Sequence, residues 1–316
     1  MSKVGSQYVY GPVPSRRLGR SLGVDLVPFK TCTYDCVYCQ LGRTTNKTTR
    51  REEYVRVDDV VDELKRKLDT GSPSDYITLA GSGKPTLNAR IGDLIRRIKK
   101  LTLVPVAVLT NGSLLWMPDV RDSLLAADVV LPSLDAGDDE LFRYVNRPRR
   151  EIAFDRMVDG LIEFTRQFTG SVWLEVLLLG GVTGIPAEAE KIASIIRRIR
   201  PARVQLNTVS RPPAEEFAVP VDQDYLERLL RFFPKPVEVI SESSLGRSQP
   251  VRAPAIADAD ILAMLRRRPC TVQDVSSGLG VNASEAAKRL HALSLQGAVR
   301  TVRKNDAVFY RAVRAN

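Results

Sequence analysis

Three of the four cysteines fall within eight residues, Cys32-Thr33-Tyr34-Asp35-Cys36-Val37-Tyr38-Cys39. Thiolates are soft ligands that select zinc, copper(I) or iron-sulfur clusters, and three on one short loop can converge on a single centre without help from distant chain. For structural zinc, which takes four protein ligands, the set is one short. The only histidine, His291, lies in the C-terminal part of the chain. A 4Fe-4S cluster suits the set better, because three cysteines can hold it and leave one iron open to a ligand from outside the protein. Three small packed thiols, or a disulfide, are the alternative reading of the same residues.

A second stretch with chemical potential is Gly81-Ser82-Gly83-Lys84-Pro85-Thr86. It invites a phosphate-binding reading and fails it. A Walker loop needs Ser or Thr after the lysine, where Pro85 stands, and a glycine where Thr78 stands. Further polar residues follow predicted strands: Asn111 in Thr110-Asn111-Gly112-Ser113, Ser133 and Asp135 in the next such loop, Glu175 within a strand, and the segment 207–213. The Asn-Gly pair also reads as an ordinary turn. Cys270 has no cysteine neighbour and reads as a buried structural thiol.

CxxxCxxC with an aromatic before the last cysteine resembles the radical S-adenosylmethionine (SAM) superfamily, and the loop at 81–85 resembles that superfamily's Gly-Gly-Glu-Pro motif. Lys84 stands where the motif has glutamate. The resemblance covers about residues 8–240. It implies a partial (β/α)6 barrel open on one side, with Cys32, Cys36 and Cys39 as ligands of a 4Fe-4S cluster whose open iron chelates SAM. It also implies SAM contacts from Tyr38 near the adenine, from Gly81, Ser82, Gly83, Lys84 and Pro85 at the ammonium, and from Asn111, Ser133 and Asp135. The implied chemistry is reductive cleavage of SAM to methionine and a 5'-deoxyadenosyl radical that takes a hydrogen atom from a substrate. An external electron donor of flavodoxin or ferredoxin type is implied with it. Relatives carrying a second cluster have further cysteines, which this chain lacks.

The elements that must position these residues alternate. Strands are expected at 21–27, 76–80, 106–109, 128–131, 173–178, 203–206 and 237–240, and helices at 58–68, 91–100, 118–125, 152–168, 187–200 and 223–232. Alternation of this kind gives a parallel sheet with right-handed crossovers. Periodicity alone leaves a closed barrel, an open barrel and a doubly wound sheet equally available. Residues 8–20 read as a turn-rich lead-in with the paired Arg16 and Arg17. Composition changes near residue 241, so the expected domains are 1–243, a linker at 244–257, and 258–316. In the last, three helices and a hairpin resemble a winged helix-turn-helix.

At 316 residues and 44% hydrophobic content, the chain can fill a large core and a small one. It carries no apolar run of about 18 residues and no signal-peptide pattern, so a cytoplasmic protein without a membrane segment is expected. A net charge of +10 and a pI near 9.6 suggest a polyanionic partner. Lys288, Arg289, Arg300, Arg303, Lys304, Arg311 and Arg314 would give the small domain an electrostatic footprint for nucleic acid. Three functions follow: a radical SAM enzyme acting on RNA, one acting on a protein or peptide such as an activase of a glycyl-radical enzyme, or a cluster-based redox sensor that binds DNA. In the last, Ser284, Lys288 and Arg289 would face the major groove. Substrate and oligomeric state are not legible.

Overall fold

The structure, a computed structural model, describes residues 8–71, 73–240, 258–304 and 307–313. Its strands are β1 (Val9–Ser15), β2 (Gly19–Val24), β3 (Thr31–Cys32), β4 (Asn46–Lys47), β5 (Tyr76–Leu79), β6 (Val106–Leu109), β7 (Val129–Leu131), β8 (Ser171–Leu178), β9 (Arg203–Thr208) and β10 (Val237–Val239), with the pair β11 (Val299–Lys304) and β12 (Ala307–Ala312) near the C-terminus. The helices are α1 (Val57–Asp69), α2 (Ile91–Leu101), α3 (Pro118–Leu124), α4 (Asp139–Val145), α5 (Phe154–Gln167), α6 (Pro186–Ile199), α7 (Gln223–Leu229), α8 (Asp258–Arg267), α9 (Val272–Leu279) and α10 (Ala283–Leu295).

The main sheet runs β1-β2-β5-β6-β7-β8-β9-β10, every pair parallel except β1 with β2. Spatial order follows chain order and never doubles back, which rules out the doubly wound arrangement. Parity along the strands separates the two faces. Val106, Val108 and Val130 join the large core under the helices, whereas Ala107, Val129 and Leu131 form a separate cluster with Leu18. In β8 the buried Val172, Leu174, Val176 and Leu178 alternate with Ser171, Trp173, Glu175 and Leu177, so Glu175 and Leu177 share a face. That face lines a cavity, together with Ser21, Thr78, Leu109 and Asn207 from β2, β5, β6 and β9. The sheet therefore curves around one concave space.

The helices form for local reasons. In α2, Ile91, Leu94, Ile95 and Ile98 fall on one buried stripe, with Asp93 in the first turn and Lys99 and Lys100 in the last, as the helix dipole favours. Helix α6 opens on Pro186 and stops where Arg200 enters the left-handed region at φ 56°. Beyond the short pair β3 and β4, two elements were not expected. Residues 9–15 form a strand despite Gly11, Pro12 and Pro14, because β1 pairs only at the sheet edge. Helix α4 is added between β7 and α5, capped by Asp138, whose carboxylate accepts from Leu141 N at 2.9 Å.

The C-terminal elements are three helices and an antiparallel hairpin, in the expected order. Their small core of Ile261, Met264, Leu265, Cys270, Val275, Leu290 and Leu293 extends onto Val13 of β1. The expected linker at 244–257 lies outside the described residues. No helix among the described residues is long and apolar enough to cross a membrane.

Candidate active site

The cysteine loop hangs between two supports. Cys32 ends β3, which pairs with β4, and Thr48 N donates to Cys32 O at 2.9 Å. On the other side Val37 N donates to Val145 O, and Asp35 N to Asn146 O and Arg147 O, at the C-terminal end of α4. Two of the sulfurs meet an N–H donor: Asn111 Nδ2 lies 3.9 Å from Cys32 Sγ and Asn146 Nδ2 3.5 Å from Cys36 Sγ, while the neighbouring Leu41 backbone favours the Cys39 thiolate. Burial, followed by the neighbouring Cys32 and Cys39, pushes the Cys36 thiol up.

Three neighbouring thiolates in a half-buried site repel one another unless cationic iron or another metal sits among them. Among the described residues no group of three or more His, Cys, Asp or Glu is set up to hold a single metal ion. A cluster has its own test in Tyr34. Its hydroxyl is buried without a hydrogen-bond partner among the described residues, lines the cavity, and feels Cys36 and Cys32. An acceptor placed among the thiols would satisfy it. The donors at Cys32 and Cys36 and this orphaned hydroxyl fit a thiolate-held cluster, which such hydrogen bonds stabilise and tune.

Behind the sulfurs, Asn146 ties together Cys36, Tyr38 and Asp135. Its Nδ2 reaches Asp135 at 2.8 Å and Tyr38 Oη at 3.3 Å, Tyr38 donates to Asp135 at 2.5 Å, and Leu177 N donates to the other Asp135 oxygen at 3.0 Å. Burial raises the Asp135 carboxyl, and the bonds from Tyr38 and Asn146 oppose that rise.

The glycine-rich loop is stitched to the chain that enters the cysteine loop. Lys30 N donates to Ser82 O at 2.6 Å and Lys84 N to Thr31 O at 3.1 Å. A Cβ on Gly83 would sit 2.0 Å from Thr31 O, so only glycine allows this approach. Ser82 N and Oγ both donate to Asp25. Among the described residues no hydrogen bond engages the carbonyls of Gly81 or Gly83.

Residues 81–84, Asn111, Ser133, Asp135 and Tyr38 line one cavity of about 370 Å³ with the three cysteines, whereas Pro85 is buried behind the loop. Lys84 faces inward, close enough to affect both Cys39 and Glu175. Glu175 pairs with Arg17 at 2.6 Å and accepts from Asn207 Nδ2 at 3.0 Å.

The C-terminal unit covers the cavity. Met264, Arg267 and Arg268 line it. Arg267 pairs with Asp25 at 3.5 Å and lies 4.0 Å from the Tyr10 ring centroid. Arg211, in the loop after β9, pairs with Asp274 at 3.0 Å and donates to Pro269 O at 3.1 Å. From the hairpin, Lys304 donates to Arg211 O at 3.2 Å and Arg311 to Leu41 O, two residues past Cys39. Part of the expected basic footprint is thus spent internally. Arg289 pairs with Asp258 and Glu285, while Lys288, Arg300 and Arg303 remain exposed and Arg314 lies outside the described residues.

Asn146, Tyr34 and Asp25 were not among the expected site residues. Asn146 and Tyr34 carry no local signal of their own, whereas Asp25 sits at the end of the strand that feeds the cysteine loop.

A thiol loop at the end of the first parallel strand, in a cavity formed by the ends of its successors, defines the class. The chain belongs to the radical SAM superfamily, whose family model matches residues 26–193. More particularly it groups with the UPF0026 proteins: it is 34% identical over 226 residues to one from Methanocaldococcus jannaschii, covering 71% of this chain and 70% of that protein. It is also 40% identical over 310 residues to a protein of Brachyspira hyodysenteriae named GTPase Obg, covering 98% of this chain and 46% of that relative. The chain therefore spans about half the length of that relative. A radical SAM methyltransferase from Sphaerobacter thermophilus shares the fold, with a TM-score of 0.52 at 17% identity over 71% of this chain and 68% of that one.

Proposed function

We propose that Cys32, Cys36 and Cys39 hold a 4Fe-4S cluster, that SAM binds beside it in the cavity, and that the enzyme abstracts a hydrogen atom from a macromolecular substrate, RNA in the favoured reading. The observation that carries the cofactor assignment is three sulfurs, two of them met by amide N–H donors, on the wall of a cavity that also holds the 81–84 loop. When bound, cluster and SAM together supply reductive cleavage to a 5'-deoxyadenosyl radical, with the electron from an external flavodoxin- or ferredoxin-type donor.

The residues of the chain do the rest. Asn111 and Asn146 fix the Cys32 and Cys36 thiolates. The Gly81 and Gly83 carbonyls are available to an ammonium group, and Tyr38, held by Asp135, offers a ring face to the adenine. Met264 and Arg267 cover the space and exclude water. Exposed Lys288, Arg300 and Arg303 support the RNA reading of the winged-helix-like unit. A GTPase reading has no support in this chain, because its one Gly-Lys pair is followed by Pro85, where a phosphate-binding loop needs Ser or Thr.

Anaerobically reconstituted protein should release 5'-deoxyadenosine from SAM under reduction; no release would end the enzyme reading. RNA retention should fall with salt and be lost when Lys288, Arg300 and Arg303 are all changed to Ala. Retention unchanged by that triple variant would move the choice to a protein or peptide substrate.

A further inference from the structure

We propose that the roof of the cavity is an anion site, built by Arg211 of the barrel and Arg268 of the C-terminal unit, which receives a phosphate group of the substrate. The proposal rests on the enzyme reading above and adds the chemical class of what enters the site.

The charge inventory of the cavity leads to it. Seven lining residues are Lys or Arg and two are carboxylates, Asp135 and Glu175. Both carboxylates are committed, Glu175 to Arg17 and Asp135 to Tyr38 and Asn146. Behind the lining, Asp25 answers Arg267 and Asp274 answers Arg211. The cofactors do not absorb the excess, since SAM is a net monocation and an oxidised cluster on three thiolates a net monoanion.

The imbalance is sharpest at the roof. Arg211 and Asp274 are 12% and 11% exposed. Asp274 already accepts from the Thr271 backbone in the cap of α9, and its charge also acts on Arg268. Two guanidiniums thus share one carboxylate. Arg268 has the Cys270 thiol and the field of Asp274 beside it, but its Nη2 is enclosed and has no hydrogen-bond partner among the described residues. A buried N–H without an acceptor is costly to maintain unless a ligand completes it. Arg268 disfavours the charge of Arg211, which an anion placed between them would relieve. The Arg268 Nη2 and the Arg211 Nη1, which is not used by Asp274 or Pro269, come from two parts of the chain, and a tetrahedral phosphate has oxygens for both. The site spans the two parts of the chain, so it is complete only when the C-terminal unit is seated.

The test is calorimetric titration of the full-length chain, without SAM, using inorganic pyrophosphate and, at matched ionic strength, malonate. Pyrophosphate should bind at a single site per chain, and Arg268→Gln should weaken it roughly ten-fold or more, the loss of a charge-assisted hydrogen-bond pair. No binding by the wild-type chain, or equal binding by the variant, would overturn the proposal. Malonate binding as tightly as pyrophosphate would overturn the phosphate assignment. Should Arg268→Gln not fold by circular dichroism, Arg268→Lys, which keeps the charge but loses the fork, is read instead; a loss of about three-fold or more is expected and an unchanged affinity would be decisive against the site. The titration requires no SAM cleavage, so anion binding and enzyme activity can each fail without the other.

Discussion

Arg17 and Glu175 meet at 2.6 Å inside the cavity, their side chains 16% and 18% exposed, joining the turn after β1 to the middle of β8. Burial alone would raise the Glu175 carboxyl, but Arg17 and Asn207 hold it below its ordinary value. A carboxylate depressed in the folded state contributes stability that is complete above its unfolded value, about 4.3, and is lost as pH falls through the folded value. Arg17→Ala should therefore cost about 3 kcal/mol at neutral pH by leaving a buried charge unpaired. Urea unfolding of both proteins across pH should show that difference shrinking below about pH 4.

Asn146→Ala removes the donor at Cys36 and one of the bonds at Asp135. Hydrogen bonds to cluster sulfurs raise the reduction potential, so the reconstituted variant should have a more negative midpoint. Potentiometric titration followed by electron paramagnetic resonance reads it, and an unchanged midpoint would remove Asn146 from the cluster's surroundings.

Lys84 faces the cavity with no carboxylate bonded to its ammonium among the described residues, which makes it available to the carboxylate of SAM. Lys84→Gln should weaken SAM binding about ten-fold, the worth of a charge-assisted hydrogen bond. Equilibrium binding to the reconstituted protein checks this; unchanged or tighter binding would assign the ammonium elsewhere.

Arg311 holds the Leu41 carbonyl beside the cysteine loop. Arg311→Ala should loosen the cover over the cluster and speed its bleaching in air, while iron content on anaerobic reconstitution stays at the wild-type level. Loss of iron before exposure to air would show a role in assembly instead.

Gly83→Ala drives a Cβ toward Thr31 O, which is backbone and cannot turn aside. A loss of about 1–3 kcal/mol is expected, with reduced cluster incorporation because Thr31 precedes Cys32. A variant matching wild type in thermal midpoint and iron content would show that the loop can shift.

What the sequence disclosed was local. The CxxxCxxC spacing, the glycine loop and the strand-helix alternation are each written within a few dozen residues, and all are seen in the structure. Helix α4 was readable too, since Asp138 precedes an acidic first turn, but its seven residues are too few for periodicity to stand out. Glu175 could have been oriented from the alternation in β8. What could not be read is the set of long-range partners. Asn146 lies 110 residues from Cys36, and no pattern in either neighbourhood announces the other. Likewise a basic residue shows its charge in the sequence but not its acceptor, so Arg311 read as part of a surface footprint although it serves a carbonyl of the barrel.

That last bond spans 270 positions of the chain. It makes the hairpin and the cysteine loop thermodynamically linked: a ligand that favours the seated hairpin also favours the ordered loop, and loading the loop returns the same factor to that ligand. On the function proposed above, cofactor occupancy and substrate capture are then two readings of one equilibrium, measurable from either end.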